Sequence, residues 1–330
     1  MTISVTIVSR MPPERSRLVL SYVPEDFEIN LVESSESIDL QIKACKDANS
    51  IILGAPNIDI EVLKQCPKVQ LLQTLSAGYE ELNLEGISKI GIPIANNGGS
   101  NAGAVSEQVI SMALMLLRGT LLHWKNAKEK KWRDGIRDLS FNELGGKKIG
   151  IIGMGPIGKE LAKKLNGFQC KLSYYDINFI DPVLEKELNL SRVTLNDLLM
   201  HSDIISLHIP LNEKTYHFIG KKEFEAMKKN VIIINTSRGG IIDENALRVA
   251  INNGDIAGAG LDVMESEPAE KNEALLELDN VIITPHMAGV TSESNARSAI
   301  FAFENIRKAI EKKEILSVVN TKELLAYRSI

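Results

Sequence analysis

Residues 148–158 have the sequence KIGIIGMGPIG, and the architecture of the chain can be worked out from this segment. A mostly apolar run ends at Gly153, and the pattern of Ile157–Asn166 predicts a helix directly after the glycines. The GxGxxG spacing of Gly153, Gly155 and Gly158 permits a tight turn and a close approach of the backbone to a ligand, and the helix offers unpaired N–H groups at its start. We therefore predict a strand–turn–helix unit that binds a pyrophosphate.

An acidic residue is expected about 20 residues beyond such a turn, where it binds the ribose hydroxyls of a dinucleotide. Asp176 occupies this place at the end of the apolar run KLSYY. A carboxylate repels a 2′-phosphate, and no Arg or Lys occurs in the following residues 177–182. The alternative is a packing turn followed by a solvated Asp. We predict NAD, in preference to NADP, as the cofactor.

Short apolar runs alternate with longer amphipathic stretches along most of the chain. Predicted strands are Val5–Val8, Ile51–Leu53, Leu71–Thr74, Ile92–Ala95, Lys148–Ile152, Lys171–Tyr175, Ile204–Leu207, Val231–Asn235, Gly258–Asp262 and Val281–Thr284. Predicted helices are Ile38–Asp47, Asp59–Gln65, Asn101–Arg118, Ile157–Asn166, Leu195–Met200, Lys221–Met227, Glu244–Asn252 and Ser292–Lys312, the last followed by a short polar tail. Continuous apolar strands that alternate with helices indicate parallel strands buried on both faces. The fold class is α/β, with two doubly wound domains and a cleft between them.

Composition narrows the classes of protein to which the chain can belong. The 330 residues suggest about two domains, and 38 basic against 43 acidic residues give a net charge of −5. Nucleic acid and anionic membranes call for a basic face, so neither is expected as a partner. Cys45, Cys66 and Cys170 are far apart in sequence and predict reduced structural thiols without a metal site. With no signal peptide and no run of 18 apolar residues, we expect a cytoplasmic protein.

Three polar residues follow predicted strands in places that suit catalysis. Arg238 follows an apolar strand and precedes two glycines, and its guanidinium can bind a carboxylate through two parallel hydrogen bonds. Acidic side chains, Glu267 among them, follow the strand that ends at Asp262, and His286 follows the next strand between Pro285 and a glycine-containing turn. Taken singly, each has an ordinary interpretation as a surface residue on a loop.

Taken together, these segments resemble the D-isomer-specific 2-hydroxyacid dehydrogenases. The matching stretches, in family order over almost 200 residues, are NAGAVSEQVISMAL, ELGGKKIGIIGMGPIGKELA, ISLHIPL, NTSRGGIIDE, GAGLDVMESEP and TPHMAG. The resemblance implies that Arg238 binds the substrate carboxylate and 2-oxygen, that His286 is the general acid and base, and that Glu267 holds and polarises it. It also implies substrate-binding N–H groups around Ala77, Gly78 and Tyr79. The cofactor residues that it implies are Val105, Gly153, Gly155, Pro156, Ile157, Gly158, Asp176, His208, Ile209, Pro210, Thr236 and Asp262, the last for the nicotinamide carboxamide.

The chemistry agrees with these roles. Hydride transfer to or from the substrate C2 requires a proton to leave or reach the 2-oxygen, and an imidazole suits this exchange at neutral pH. An adjacent carboxylate favours the protonated form that is needed to reduce a keto acid. His208 is the competing base, although no acidic residue lies near it in sequence. His123, His201 and His217 are predicted to be solvated or on helix surfaces.

In this family the substrate domain is discontinuous. Mapped onto this chain, residues 1–99 and 291–330 form a flavodoxin-like substrate domain, and residues 100–290 form the Rossmann-type NAD-binding domain. Closure about the hinge is expected to expel water. Helix Asn101–Arg118 and the following LLHWKNAKEKKW segment correspond to the family's dimerisation region, so a homodimer is expected. Trp132 either packs this interface or reaches the partner's active site.

The sequence limits the choice of substrate without fixing it. Phosphoglycerate requires cations in the substrate domain, and neither residues 51–57 nor 76–79 contain any. Relatives that oxidise phosphite have a Lys where this chain has Ala77, and formate dehydrogenases have a Gln where it has Glu267. Small substrates with neutral tails remain, namely glyoxylate, hydroxypyruvate, pyruvate or a bulkier 2-keto acid. A protein that only senses NAD(H), similar to the family's corepressors, is the alternative outside catalysis.

Overall fold

The computed structural model describes residues 2–136, 139–269 and 273–328, and these form two compact units. The first unit contains Met1–Asn101 and Val290–Ile330, and the second contains Ala102–Gly289. The strands are β1 (Ile3–Val8), β2 (Phe27–Val32), β3 (Ser50–Leu53), β4 (Leu71–Thr74), β5 (Ile94–Ala95), β6 (Lys148–Ile152), β7 (Lys171–Tyr175), β8 (Leu190–Arg192), β9 (Ile204–Leu207), β10 (Ile232–Asn235), β11 (Gly258–Leu261) and β12 (Val281–Ile283). Each strand belongs to one of two parallel sheets.

Helices connect these strands in both units. They are α1 (Pro13–Leu20), α2 (Ile38–Cys45), α3 (Ile60–Lys64), α4 (Leu84–Lys89), α5 (Ala102–Arg118), α6 (Thr120–Lys128), α7 (Pro156–Asn166), α8 (Pro182–Glu187), α9 (Leu195–His201), α10 (Lys221–Ala226), α11 (Glu244–Asn252), α12 (Glu273–Leu276), α13 (Ser292–Ile310) and α14 (Thr321–Arg328). A short 3-10 turn covers Gly239–Ile241. Side-chain oxygens of Ser, Thr, Asp or Asn cap many of these helices, as at Thr194, Asp243 and Thr291.

The sheet of the first unit has the strand order β2-β1-β3-β4-β5. Its central strands β3 and β4 are buried along their whole length, as expected for parallel strands covered on both faces, although Ser50, Gln73 and Thr74 are polar. Helix α13 returns to this unit and buries Ala299, Phe303 and Ile306 in the same core as Val5 of β1. The chain therefore completes this core with residues some 290 positions apart, and Arg307 of α13 pairs through two hydrogen bonds with Asp26.

The sheet of the second unit has the order β12-β11-β10-β9-β6-β7-β8. The order reverses between β9 and β6, which creates the topological switch point of a doubly wound sheet. Helix α5 packs against one face of this sheet, where Val109, Met112 and Ala113 join its core. Because all seven strands are parallel, the loops that follow them emerge at one edge of the sheet. The predicted fold class, with two doubly wound sheets, is confirmed.

Three local predictions need correction. The predicted polar tail contains α14, and the chain also forms β2 and β8, which the sequence pattern did not indicate. Asn320 anchors α14 because its buried amide accepts from the N–H of Ile94 and donates to Ser88 and the Ile92 carbonyl. This anchor is a tertiary contact that local periodicity does not record.

In the described part of the chain, no single helix is long and apolar enough to cross a membrane, and only α5 and α6 together, bent by 64°, reach that length and hydropathy.

Candidate active site

The glycine-rich turn joins β6 to α7 at the switch point of the second sheet. Gly153 has φ +97°, and a Cβ atom there would lie 2.4 Å from the carbonyl oxygen of His208. A Cβ at Gly158 would lie 2.2 Å from the carbonyl oxygen of Gly153, so this glycine lets α7 pack closely against the turn. By contrast, a Cβ at Gly155 would meet no atom within 4 Å. Gly155 therefore leaves open space at the amino terminus of α7, next to Pro156 and Ile157, where a pyrophosphate can bind.

Asp176 follows β7 and faces this turn. Its carboxylate accepts hydrogen bonds of 2.7 Å from the N–H groups of Met154 and Asn178, which fixes its position beside the glycine-rich loop. Arg192 of β8 donates to the carbonyl oxygen of Asp176 at 2.9 Å, and its guanidinium lies 3.7 Å from the ring centre of Phe179. Residues 177–182 contain no cation. The pairing of β8 with β7 brings one from a residue 16 positions away.

Two buried polar atoms at the ends of β9 and β10 have no hydrogen-bond partner among the described residues, namely Nδ1 of His208 and Oγ1 of Thr236. The other ring nitrogen of His208 lies 2.8 Å from Oγ of Ser206. Burial lowers the pKa of His208 to about 3, so the ring is neutral at physiological pH. Buried polar groups normally have partners, so these two atoms indicate a bound polar molecule. Together with the open space at Gly155 and the placement of Asp176, they fit a dinucleotide.

Arg238 lies on the loop after β10. The side chain of Asn235 shapes this loop, because its amide donates to the carbonyl of Arg238 at 2.8 Å and accepts from the N–H of Ser237 at 3.0 Å. The guanidinium of Arg238 donates to the carbonyl of Ser237 at 2.6 Å. The next residue, Gly239, contacts the backbone of the following loop so closely that a Cβ would lie 1.9 Å from the carbonyl oxygen of Met264.

His286 and Glu267 are in direct contact. Nδ1 of His286 lies 2.8 Å from Oε2 of Glu267, although the two residues are 19 positions apart in different loops. Oε1 of Glu267 accepts the N–H of Met264 at 3.1 Å, so both carboxylate oxygens are engaged. His286 has φ +55°, a left-handed conformation that is uncommon outside glycine and typical of constrained functional positions. Because Nδ1 is bonded to Glu267, Nε2 is the ring nitrogen available to a substrate.

Asp262 is buried and organises the loop that carries His286. Its carboxylate accepts hydrogen bonds from the hydroxyl of Thr284 at 2.5 Å and from the N–H groups of Met287 and Ala288 at 2.9 and 2.8 Å. The predicted bond from Asp262 to the nicotinamide carboxamide would add to these three contacts and stays a prediction.

A second histidine–carboxylate pair, not predicted from the sequence, involves His217 and Glu265. Glu265 lies 2.8 Å both from Nε2 of His217 and from the hydroxyl of Tyr216, and the two rings stack with centres 4.0 Å apart. His217 is therefore bound at a loop and not simply solvated as predicted. His201 is exposed at the end of α9, whereas His123 of α6 packs against the ring of Phe141. The contacts of Glu265 with Tyr216 and His217 span 49 and 48 residues, so no local pattern could have indicated them.

The predicted substrate loop belongs to the first unit. Ala77, Gly78 and Tyr79 follow β4, and the N–H of Tyr79 donates to the carboxylate of Glu80 at 2.9 Å. Among the described residues, no protein acceptor meets the N–H groups of Ala77 and Gly78.

Of the predicted cofactor residues, Val105 lies buried in α5, whereas Ile209 and Pro210 follow His208 in the loop after β9. The described residues contain no group of three or more His, Cys, Asp or Glu that could hold a metal ion, and the three cysteines are buried and free.

Comparison with known proteins agrees with this geometry. Residues 110–288 match the family model described as D-isomer specific 2-hydroxyacid dehydrogenase, NAD binding domain. The glyoxylate reductase of Korarchaeum cryptofilum is 35% identical over 304 residues, which cover 91% of this chain and 90% of that protein. The hydroxypyruvate reductase of Thermotoga maritima is 35% identical over 262 residues, which cover 79% and 84%. The crystal structure of a glyoxylate reductase from Paecilomyes thermophila matches with a TM-score of 0.81 and 28% identity, over 96% of this chain and 98% of that one.

The residues matched by the family model include the glycine-rich turn, the Arg238 loop and the His286–Glu267 pair. The comparisons confirm the predicted family and NAD as the cofactor, whereas the preference for NAD over NADP stays a prediction. The chain belongs to the D-isomer-specific 2-hydroxyacid dehydrogenases, and it is an NAD-dependent oxidoreductase that interconverts D-2-hydroxy acids and 2-keto acids.

Proposed function

We propose that this enzyme reduces a small 2-keto acid with a neutral tail, of the size of glyoxylate or hydroxypyruvate, and uses His286 as the proton donor. The observation that carries the proposal is the 2.8 Å contact between His286 and Glu267, at the sheet edge from which the Arg238 loop also emerges. The names of the two relatives at 35% identity support this size of substrate.

The proposed roles follow from the side chains. Arg238 binds the substrate carboxylate and 2-oxygen, because its planar guanidinium matches two oxygen acceptors. The imidazolium of His286 donates its Nε2 proton to the 2-oxygen during reduction and recovers it in the reverse direction. Glu267 bonds to Nδ1 of His286, orients the ring and stabilises its positive charge. Bound NADH supplies the hydride that reaches the substrate C2.

The cofactor is proposed to lie along the carboxyl edge of the second unit. Gly153, Gly155 and Gly158 with Pro156 and Ile157 receive the pyrophosphate, and Asp176 receives the ribose hydroxyls. Other proposed contacts are Val105, His208, Ile209, Pro210, Thr236 and Asp262. We assign NAD binding to the unit Ala102–Gly289, which also carries Arg238, and the remaining substrate contacts to the other unit, where Ala77, Gly78 and Tyr79 contribute.

The tail of the substrate is proposed to be uncharged because residues 51–57 and 76–79 contain no Arg or Lys. This argues against phosphoglycerate, and Ala77 argues against phosphite. A panel of glyoxylate, hydroxypyruvate, pyruvate and 3-phosphohydroxypyruvate, followed by NADH oxidation, tests the proposal. We expect the highest kcat/KM with one of the unphosphorylated acids. Preference for the phosphorylated acid would contradict the proposed substrate, and no turnover with any keto acid would leave only NAD(H) sensing.

We also propose a cytoplasmic homodimer. Helix α6 and the residues after it present exposed apolar side chains, namely Leu121, Trp124, Trp132 and Leu139. Trp124 and Trp132 are 62% and 72% exposed, which is unusual for a side chain of this size. A cavity of 480 Å³ beside them is lined by Leu121, Leu139 and Phe141 among others. Coverage of these side chains by a second copy would remove them from water, and buried free thiols support a reducing compartment.

A further inference from the structure

Glu244 is a buried carboxylate for which neither the cofactor nor the substrate accounts. It is 4% exposed and occupies the first turn of α11, six residues after Arg238. Burial of a carboxylate is costly unless the charge is compensated. Among the described residues, the amino terminus of α11 favours this negative charge, and Oε1 of Glu244 accepts the N–H of Glu265 at 2.5 Å.

The N–H that Glu244 accepts belongs to the backbone segment that positions Glu267, the partner of the proposed proton donor His286. Met264 and Glu265 are consecutive, and the N–H of Met264 donates to Oε1 of Glu267 at 3.1 Å. The other oxygen of Glu267 contacts His286. A shift of the Met264–Glu265 backbone would therefore move the donor that fixes the Glu267 carboxylate, and with it the partner of the imidazole.

The same two residues are held from other sides. Gly239 lies against their backbone, since a Cβ there would sit 1.9 Å from the carbonyl oxygen of Met264 and 2.4 Å from the nitrogen of Glu265. The side chain of Glu265 is bonded to Tyr216 and His217, each at 2.8 Å, and Asp243 lies 4.0 Å from the other nitrogen of His217. Glu244 is thus the contact that ties this backbone segment to the start of α11.

We propose that Glu244 is a positioning residue for the reaction. Through the N–H of Glu265 it fixes the loop that carries Glu267, and so holds Glu267 against His286. It also fixes the position of this loop relative to the Arg238 loop. This inference rests on the proposed roles of His286 and Glu267. Glu244 acts through the backbone and touches neither substrate nor cofactor in this role. Among the residues that the structure describes, the titratable groups in these contacts are Glu244, Asp243, Glu265, His217 and Tyr216 around the segment, and Glu267 at His286.

Glu244→Ala tests the proposal because it removes the acceptor. We expect kcat for keto acid reduction to fall about 10- to 100-fold while the Kd for NADH changes less than about threefold. The pH above which reduction declines, here called the pH limb, should move downward, as is also expected for Glu267→Gln, since a displaced carboxylate no longer stabilises the imidazolium. Glu244→Gln keeps an oxygen acceptor at the same reach, so it should restore most of the activity and the position of the pH limb.

A matched control separates positioning from simple stability. Glu223 accepts the N–H of Gly220 at 3.1 Å in the first turn of α10, which is the same kind of bond at another helix. Glu223→Ala should lower Tm without moving the pH limb. If Glu244→Ala does not fold, Glu244→Asp, which keeps the charge but withdraws the oxygens by one methylene, is measured instead and should show the same shift.

The outcomes are distinguishable. An unmoved pH limb and unchanged kcat in a folded Glu244→Ala variant would overturn the inference, as would a Glu244→Gln variant that is equally impaired. His286→Ala and Glu267→Gln are measured in parallel. If those two variants keep wild-type turnover and pH dependence, the proposed roles themselves are wrong, whatever Glu244 does.

Discussion

Arg238 is expected to act on the substrate and not on the cofactor. Arg238→Ala removes charge-assisted hydrogen bonds, each worth about 1.5–3 kcal/mol, so kcat/KM should fall by at least about 10- to 100-fold. NADH binding should survive, because Arg238 is proposed to contact the substrate, and Thr236 is the proposed cofactor contact of this loop. Steady-state kinetics together with a fluorescence titration of NADH checks both statements.

Arg238→Lys is the informative companion, because it keeps the charge and loses the planar fork. It should recover only part of the loss. A folded Arg238→Ala variant that no longer binds NADH would show that the residue contacts the cofactor.

The His286–Glu267 pair predicts opposite pH dependence in the two directions. Reduction needs the imidazolium, so its kcat/KM should fall as pH rises and the proton is lost, whereas oxidation of the hydroxy acid should rise over the same range. Glu267→Gln removes the charge that stabilises the imidazolium, so both limbs should move to lower pH. His286→Ala should lower the rate by about 10²- to 10⁴-fold with little change in NADH affinity.

These profiles are measured as kcat/KM against pH in both directions for the wild type and the two variants. Turnover of His286→Ala at the wild-type level would transfer the role to another residue. His208 is a poor replacement, because burial lowers its pKa to about 3 and the ring is therefore not protonated near neutral pH.

Asp176 predicts a preference for NADH that a single substitution should weaken. The carboxylate repels a 2′-phosphate, and Asp176→Ala would also free the N–H groups of Met154 and Asn178 to face an anion close to Arg192. The ratio of kcat/KM for NADPH to that for NADH should therefore rise in Asp176→Ala. Adding Arg192→Ala should reverse part of the gain. A wild-type enzyme that uses NADPH as well as NADH would contradict the prediction.

At the scale of single elements, the glycines of the turn between β6 and α7 are predicted to differ in their effects on Tm and on NADH affinity. Gly155→Ala meets no protein atom within 4 Å, so Tm should stay close to the wild-type value while NADH affinity falls, because the added methyl occupies the space proposed for the pyrophosphate. Gly153→Ala should lower Tm, since φ is +97° and the methyl would meet the His208 carbonyl. Thermal unfolding and NADH titration of both variants decide this, and equal losses of Tm would refute it.

The elements differ in how well their sequence predicted them. Strands such as β4, β7 and β9 have apolar or β-branched runs, and their predicted bounds agree with the structure. The edge strands β2 and β8 were missed because only one neighbour pairs with them and their sequences, FEINLV and LSR, carry solvent-facing polar residues. Helix α14 was missed because contacts with a distant part of the chain hold it, among them the hydrogen bond from Tyr327 to Glu85.

The candidate site shows the same division. The glycine-rich turn and Asp176 follow from local spacing and a known physical requirement. The pairing of Glu267 with His286 came from the family resemblance, because loops 19 residues apart need not meet. Contacts that depend on which strands are neighbours, such as that of Arg192 with the Asp176 carbonyl, and the bond between His217 and Glu265, could not be read from the sequence.

At the scale of the whole molecule, the exposed side chains of α6 and its continuation predict a dimer. Size-exclusion chromatography with light scattering should give about twice the 36.4 kDa mass of one chain. Leu121→Asp should shift the protein towards the monomer, because a charge would be buried in the proposed interface. Leu40→Asp is the matched control, since Leu40 on α2 is similarly exposed and should leave the mass unchanged. A wild-type monomer would contradict the proposed dimer.

The two units also differ in when they can fold during synthesis. The second unit is one continuous stretch, Ala102–Gly289, whereas the first needs Val290–Ile330 to cover the core begun by β1. On the ribosome, residues 2–101 therefore emerge with part of their apolar surface uncovered until α13 is translated. In nascent chains that are stalled after residue 289 and clear of the exit tunnel, the second unit should resist protease. The amino-terminal segment should still be cleaved. Its uncovered apolar surface is therefore expected to bind chaperones during synthesis.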